Sequence, residues 1–232
     1  DLSLPGDSVV RALRGVRLPS GGCQVDRRQL LMLMGLAPVA ASVAPVASYL
    51  NKQAHPRKIR TTTGFHGDYF PNVVLRTQDG KRVRLYDDLL KGKSVLINFF
   101  YADCRDGICP VTTENLMRLH ALLGDRVGRD VFMYSFSLAP EQDTPERLKR
   151  YVKMHGVGPG WQFLTGSRDD MELCRVRLGF TDPDPEVDRK KGQHTAVVLM
   201  GNEPRQCWMA SPAASRPGFL LEQLNRVAGV AS

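Results

Sequence analysis

Two cysteines, Cys104 and Cys109, lie close together in the segment YADCRDGICP, between an apolar run and a proline. A thiol pair at this spacing could exchange with a partner's disulfide or supply two sulfur ligands to a soft metal. Asp103, Arg105 and Asp106 surround the pair with charge, which favours an exposed pair over two idle core thiols. The segment therefore indicates a redox dithiol or part of a metal site, and both alternatives stay open at this point.

The elements on either side of the thiols bear on their chemistry. Residues 93–102, KSVLINFFYA, form a continuous apolar run that is typical of a central strand buried on both faces. Pro110 stands where a helix accepts proline, and leucines follow it at helical spacing. We therefore expect a short loop that carries both thiols, with a helix beginning at about Pro110. Because the start of a helix favours negative charge, at least one thiol should lose its proton easily.

The histidines decide whether a third ligand is available. Four of them are expected to be solvated: His55 in a predicted linker, His66 near the end of that linker, His120 on a predicted helix surface and His155 at a predicted helix end. His194 differs because it stands just before the predicted strand TAVVLM, residues 195–200. That strand is expected to begin at the end of the sheet where the strand over residues 93–102 leads into the loop with Cys104 and Cys109. His194 is therefore the candidate nitrogen ligand.

The rest of the folded part alternates strands and helices. Apolar alternation around Asp79-Gly80 predicts a hairpin, and a second pair of strands flanks a predicted turn at Gly201-Asn202. Further elements are predicted at VFMYSFS (a strand), after Thr144-Pro145-Glu146 and from Ser167 to about Leu178 (two helices), at WQFLTG (a strand) and from Gly218 to Val227 (a helix). This order predicts an α/β three-layer sandwich with an added N-terminal hairpin.

Residues 1–64 are expected to lie outside this fold. Residues 1–25, rich in Arg, Gly, Ser and Pro, are typical of a disordered cytoplasmic tail. In residues 26–50, two arginines precede a long uncharged stretch with small residues, which predicts a twin-arginine-like export signal or a membrane anchor. Residues 51–64 are interpreted as a linker and residues 65–232 as the folded domain.

Charge and cysteine content narrow the function classes. The net charge of +8 is spread along the chain, and the densest basic group, Arg57, Lys58 and Arg60, lacks the interleaved aromatics of nucleic-acid grooves. An acidic or membrane-bound partner is therefore favoured over nucleic acid. Five cysteines are too few and too scattered for a disulfide scaffold. Cys174 and Cys207 are interpreted as small core residues, and Cys23 lies in the predicted tail.

Residues 68–227 resemble the Sco/SenC proteins, copper-handling relatives of thioredoxin. The matching stretches are DGKRVRLYDDLLKGKSVLINFFYADC, CPVTTENL, APEQDTPERLKRYVKMHG, QFLTG and GQHTAVVLM. Members of that family carry a Cys-x-x-x-Cys-Pro motif and a distant histidine, which together bind one copper ion. The resemblance therefore implies a thioredoxin-like fold, with copper, as Cu(I) and potentially Cu(II), held by Cys104, Cys109 and His194.

The resemblance also implies a biological setting. It is that of a periplasmic or inner-membrane-tethered metallochaperone (or its mitochondrial equivalent), which delivers copper to the CuA-bearing subunit of cytochrome c oxidase or to another copper or thiol protein. The alternative is a thiol-disulfide oxidoreductase, in which Cys104 attacks and Cys109 resolves. His194 stands where thioredoxin-like oxidoreductases usually carry a cis-proline, which favours metal handling. A peroxide-reducing relative is disfavoured, because the Thr-x-x-Cys pattern of such enzymes does not precede Cys104.

Two departures from the family pattern concern the site itself. Four residues, rather than three, separate Cys104 from Cys109, and Gly107 is interpreted as the inserted one. Its backbone freedom is expected to absorb the extra length in a bulge. Ala139 stands where the family commonly has an aspartate, so a carboxylate near the site is expected to be lost.

Overall fold

The structure is a computed structural model, and it describes residues 69–104, 107–189 and 196–230. The predicted tail, export or anchor segment and linker (residues 1–25, 26–50 and 51–64) lie outside these residues, and so does Cys23. In the part of the chain that is described, no helix combines the length and the apolar character that crossing a membrane requires.

The predicted hairpin is present at the start of the described chain. Strands β1 (Val74–Thr77) and β2 (Arg82–Arg84) pair antiparallel, with Val74 opposite Arg84. Gly80 turns the chain with φ +79, a left-handed conformation that glycine adopts at no steric cost. A π-helical turn, Leu85–Leu90, follows and buries its leucines against the sheet.

The centre of the sheet is parallel. Strands β3 (Ser94–Phe100), β4 (Val131–Ser137) and β5 (Trp161–Thr165) run in the same direction, and every residue of β3 after Ser94 is buried. The prediction of a central strand buried on both faces is therefore confirmed. The sheet of the described residues has the order β2-β1-β5-β4-β3-β6-β7.

Strands β6 (Val197–Asn202) and β7 (Cys207–Pro212) complete the sheet as an antiparallel pair beside β3. Gly201 and Asn202 were predicted to form the turn, and that prediction is wrong, because both are the last residues of β6. Gly201 is opposite Trp208, and a Cβ at this position would overlap the indole ring. The glycine therefore serves the packing of Trp208 in the sheet rather than the turn, which lies at residues 203–206.

Helices cover both faces of the sheet. Those of the described residues are α1 (Ile108–Leu123), α2 (Pro145–His155), α3 (Arg168–Arg177), α4 (Pro185–Asp188) and α5 (Pro217–Ala228), with a 3-10 turn at Gly124–Arg126. Two predicted N-caps are confirmed: Thr144 accepts the N–H of Arg147, and Ser167 accepts that of Asp170. Each such cap typically contributes about 1 kcal/mol to helix stability.

Alternate residues of β3 enter two separate cores. Leu96 and Phe100 pack with the buried leucines of α1, α2 and α5, whereas Ile97 and Phe99 pack with the π-helical turn and α3. Because successive strand residues point to opposite faces, the two cores lie on opposite sides of the sheet. The predicted three-layer α/β sandwich is confirmed.

Candidate metal centre

The two cysteines occupy different elements. Strand β3 ends at Phe100, Cys104 lies on the loop that follows, and α1 begins at Ile108. The helix therefore starts two residues earlier than predicted, and Cys109 lies in its first turn rather than on the loop. Cys109 is 1% exposed and belongs to the core under α1, whereas Cys104 is half-buried. One thiol is thus held by the core, and the other is more open to solvent.

Gly107 joins the loop to the helix. It is the N-cap residue of α1, with φ +74 and ψ −6, and it makes no side-chain capping bond. A Cβ added there would meet nothing within 4 Å, so the position requires glycine for its backbone conformation and not for lack of space. The left-handed backbone predicted to be accessible at Gly107 is thus used directly before the helix.

Sγ of Cys104 acts as the N-terminal capping acceptor of α1, which Gly107 cannot provide. The backbone N–H of Cys109 donates to Sγ of Cys104 at 3.4 Å, and both cysteines are reduced. The first N–H groups of a helix have no partner within it, so an acceptor at this point stabilises the start of α1. The same N–H groups and the helix dipole favour negative charge on that acceptor. The arrangement therefore suits Cys104 as a thiolate, the form that metal binding and disulfide exchange both need.

Aromatic residues lie beside the thiol pair. The hydroxyl of Tyr151 shares a 2.8 Å hydrogen bond with Oγ1 of Thr113, and its ring lies 5.2 Å from that of Phe100. Burial raises the pKa of Tyr151 to about 12, and negative charge at Cys109 and Cys104 acts in the same direction. Tyr151 is therefore a neutral neighbour of the thiols at physiological pH.

A buried carboxylate, Asp143, lies behind the cysteine loop. Its Oδ2 accepts the hydroxyl of Ser137 at 2.6 Å and the backbone N–H of Ala102 at 3.2 Å. Position 139 carries no carboxylate because it is alanine, but Asp143 supplies one to the same region. Sequence reasoning missed Asp143, although an acidic residue directly before the N-cap Thr144, just after a strand end, was a usable signal.

His194 lies outside the described residues. The described chain resumes at Ala196, and β6 pairs with β3 so that Val198 is opposite Asn98. Strand β6 therefore begins at the same end of the sheet at which β3 leads into the cysteine loop. Among the residues that are described, no group of three His, Cys, Asp or Glu side chains could hold a metal ion.

The two described histidines are engaged elsewhere. Nε2 of His120 lies 2.8 Å from the carbonyl oxygen of Pro159, and the ring of His155 lies 4.2 Å from that of Tyr151. Both side chains are half-buried and therefore partly solvated, on a helix surface and at a helix end as predicted. Their partners are a backbone carbonyl and an aromatic ring, so neither is needed to explain the thiol pair.

The remaining described cysteines are structural. Cys174 in α3 is fully buried, and burial raises the pKa of its thiol well above the usual range, which suits an inert core residue as predicted. Cys207 at the start of β7 is also buried, but it is disulfide-bonded. Cys207 is therefore a small core residue as predicted, but it is not a free thiol.

Known proteins share this sequence pattern over most of the described chain. A family model described as SCO1/SenC matches residues 63–229. The chain is 36% identical over 101 residues to the SCO1 protein homolog of Bacillus subtilis, which covers 43% of this chain and 50% of that protein. It is 28% identical over 116 residues to the SCO2-like protein of Rickettsia felis, covering 48% and 56%. The matches thus span about half the length of these curated relatives.

Solved structures share the fold. A SCO1/SenC family lipoprotein from Bacillus anthracis superimposes with a TM-score of 0.56 at 24% identity, covering 68% of this chain and 94% of that one. Bradyrhizobium japonicum ScoI with copper bound superimposes with a TM-score of 0.51 at 25% identity, covering 66% and 96%. The predicted thioredoxin-like fold is confirmed by these neighbours, and the family match extends over well more than half of the chain. This chain belongs to the SCO1/SenC family.

Proposed function

We propose that this protein is a copper metallochaperone, which binds one copper ion through Cys104, Cys109 and His194 and delivers it to the CuA site of cytochrome c oxidase. The observation that carries the proposal is the contact between Sγ of Cys104 and the N–H of Cys109 at a helix start, in a chain of the SCO1/SenC family. The copper-bound relatives from yeast and Bradyrhizobium japonicum support copper as the ion.

The donor set fits the chemistry of copper. Two thiolates and one imidazole nitrogen suit Cu(I), which accepts soft ligands and low coordination numbers. His194 is two residues from Ala196, so its Cα is within about 7 Å of the Cα of Ala196. Because β6 starts beside the end of β3, this reach is compatible with an imidazole near the two sulfurs.

The unequal exposure of the cysteines supports a role in transfer. Cys109 is part of the core and is therefore suited to retain the ion, whereas the half-buried Cys104 is open to an incoming ligand from a partner. The partner is the CuA-bearing subunit or another copper or thiol protein. We place this exchange in the periplasm or at the inner membrane, for which the lipoprotein relative from Bacillus anthracis offers support.

Titration of the reduced full-length chain with Cu(I) against a competing chelator tests the proposal. Cys104→Ser and Cys109→Ser should abolish tight binding, because each removes one of two thiolates. His194→Ala should weaken it, while His120→Ala serves as a matched control. His120 lies about 18 Å along α1 from Ile108, at a rise of about 1.5 Å per residue. A His194→Ala protein that binds as tightly as the wild type would show that the three-ligand site is wrong.

A second function is favoured by the same asymmetry. In a thiol-disulfide oxidoreductase, the thiolate of Cys104 attacks a partner disulfide and releases one partner thiol. Cys109 then displaces the other, which leaves the partner reduced and this protein oxidised. An accessible attacking thiol beside a buried resolving thiol fits that sequence. Fast reduction of a partner disulfide that is indifferent to His194→Ala, with a mixed disulfide trapped in Cys109→Ser, would favour this function over the first.

A further inference from the structure

Asp143 is a carboxylate in an unusual place. Its side chain is 1% exposed, and aspartates are almost never buried to this extent unless they are paired. The groups that contact the Asp143 carboxylate therefore indicate its structural role. Ser137, which donates to Oδ2, is the last residue of β4, and its oxygen also accepts the N–H of Ala139. Ala102, which donates to the same Oδ2, is the second residue after β3. One carboxylate oxygen thus joins the ends of two neighbouring strands.

Arg147 extends this connection to the cysteine loop. It lies one turn along α2, and its Nε is 3.7 Å from Oδ1 of Asp143. Nη2 of Arg147 is 4.0 Å from Oδ2 of Asp103. The outer ion pair is half-exposed and is weak by itself, but the inner one involves a buried charge and is screened far less. Ala102 and Asp103, the two residues directly before Cys104, are therefore both connected to Asp143, one directly and one through Arg147.

We infer that Asp143 is a positioning residue for the thiol pair: it holds the cysteine loop so that Sγ of Cys104 stays against the N–H of Cys109. The carboxylate does not reach the metal in this scheme, and it acts through Ala102 and Arg147. Residues that orient metal ligands from behind typically change metal affinity by about 10- to 100-fold when they are replaced. The affinity part of this inference rests on the proposed copper function, whereas the loop geometry does not.

Asp143→Asn is the decisive variant, because it keeps the size of the side chain and removes the charge. We expect it to weaken Cu(I) binding by about tenfold or more in the chelator competition. Asp88→Asn is the matched control, since it also removes one negative charge. Asp88 lies in the π-helical turn before β3, and the cysteine loop follows the other end of that strand, about 20 Å away at the usual rise per residue. Its Cu(I) affinity should equal that of the wild type.

Amide hydrogen exchange gives a second readout that needs no copper. In the reduced protein, Asp143→Asn should speed exchange at Ala102 and Cys109 more than at amides in the middle of β3, because only the loop is released. Ser137→Ala and Arg147→Met remove one partner each and should act in the same direction. These two variants decide the question if Asp143→Asn does not fold.

The outcomes separate the two proposals. Unchanged exchange at Ala102 and Cys109 in the folded variants would overturn the positioning role, whatever the copper affinities are. If the wild type binds Cu(I), an equal affinity in Asp143→Asn would also overturn it. A wild-type protein that fails to bind copper would instead remove the proposed function, and faster exchange at Ala102 and Cys109 in the variants would still support the positioning role.

Discussion

Replacing Gly107 with alanine tests how the extra residue between the cysteines is accommodated. Its φ of +74 lies in the left-handed region, and an added Cβ would have open space, so the penalty comes from the backbone alone. An L-residue in this region costs about 1–2 kcal/mol, and alanine recovers about 0.4–1 kcal/mol by restricting the unfolded chain. We expect a net loss of about 1 kcal/mol, which corresponds to a melting temperature about 2–4 °C lower for a domain of this size.

Gly80→Ala is the matched control for this strain. Gly80 has φ +79, and a Cβ there would also meet nothing within 4 Å, but it lies in the β1–β2 turn. Urea unfolding of the reduced full-length chain should show similar losses for the two variants. Only Gly107→Ala should also weaken Cu(I) binding, because relief of its strain shifts Cys104 relative to the N–H of Cys109.

An asparagine at position 107 tests whether the left-handed backbone, rather than glycine itself, is what the site needs. It tolerates left-handed backbone better than alanine and is a good N-cap, so Gly107→Asn should recover most of the stability and the copper affinity. Wild-type stability in Gly107→Ala would show that the turn before α1 is not constrained as described. Equal losses of copper affinity in Gly80→Ala and Gly107→Ala would show that the loss is global and not a matter of site geometry.

Three further predictions concern Tyr151, the two cysteines and Arg175. Burial holds the pKa of Tyr151 at about 12, against about 10 in an unfolded chain, so the native state keeps a proton that the unfolded state loses as the pH rises from 10 to 12. Tyr151 should therefore contribute up to about 2–3 kcal/mol to the fall in stability over that window, and Tyr151→Phe should remove that share of the decline in urea unfolding. Iodoacetamide should modify Cys104 well before Cys109, since only Cys104 is accessible, and peptide mass spectrometry at short times would contradict this if both were labelled together. Arg175→Met should lower the free energy of unfolding by about 2–3 kcal/mol, because the buried guanidinium binds Glu172 and Asp188, whereas loss of the exposed Arg189–Glu186 pair in Arg189→Met should cost less than about 0.5 kcal/mol.

Local patterns were sufficient to predict much of this fold. The alternation around Gly80 indicates a strand pair, because strand residues point to opposite faces in turn. The apolar run of β3 is short and rich in branched and aromatic residues, which favours a buried strand over a buried helix. Gly107 was predicted as the flexible point of the cysteine loop because no other residue of that loop accepts left-handed backbone so readily. The start of α1 was misplaced by two residues, since a proline is tolerated throughout the first turn and marks no single position.

What the sequence concealed depends on contacts between distant residues. Asp143 reads as an ordinary residue before a helix, and its role follows only from the approach of Ala102, 41 positions earlier in the chain. Tyr151 likewise lies beside the thiols because α2 packs on the same face of the sheet as α1. Gly201 was assigned to a turn because turns favour glycine. The structure instead shows that glycine is needed there because a Cβ would overlap the Trp208 ring on the paired strand. The turn propensity of a residue carries no information about which side chain will pack against it from another strand.

The antiparallel placement of β6 beside β3 has a consequence for the order in which the protein assembles. Asn98 pairs with Val198, so the neighbour of the strand that leads to the thiols is synthesised about a hundred residues later. Until then, one edge of β3 has no strand to pair with, and contacts this distant in sequence form slowly. Both thiols therefore emerge from the ribosome long before the strand that completes their end of the sheet. A chain cut short before Val197 would keep the cysteine motif on a sheet with an open edge.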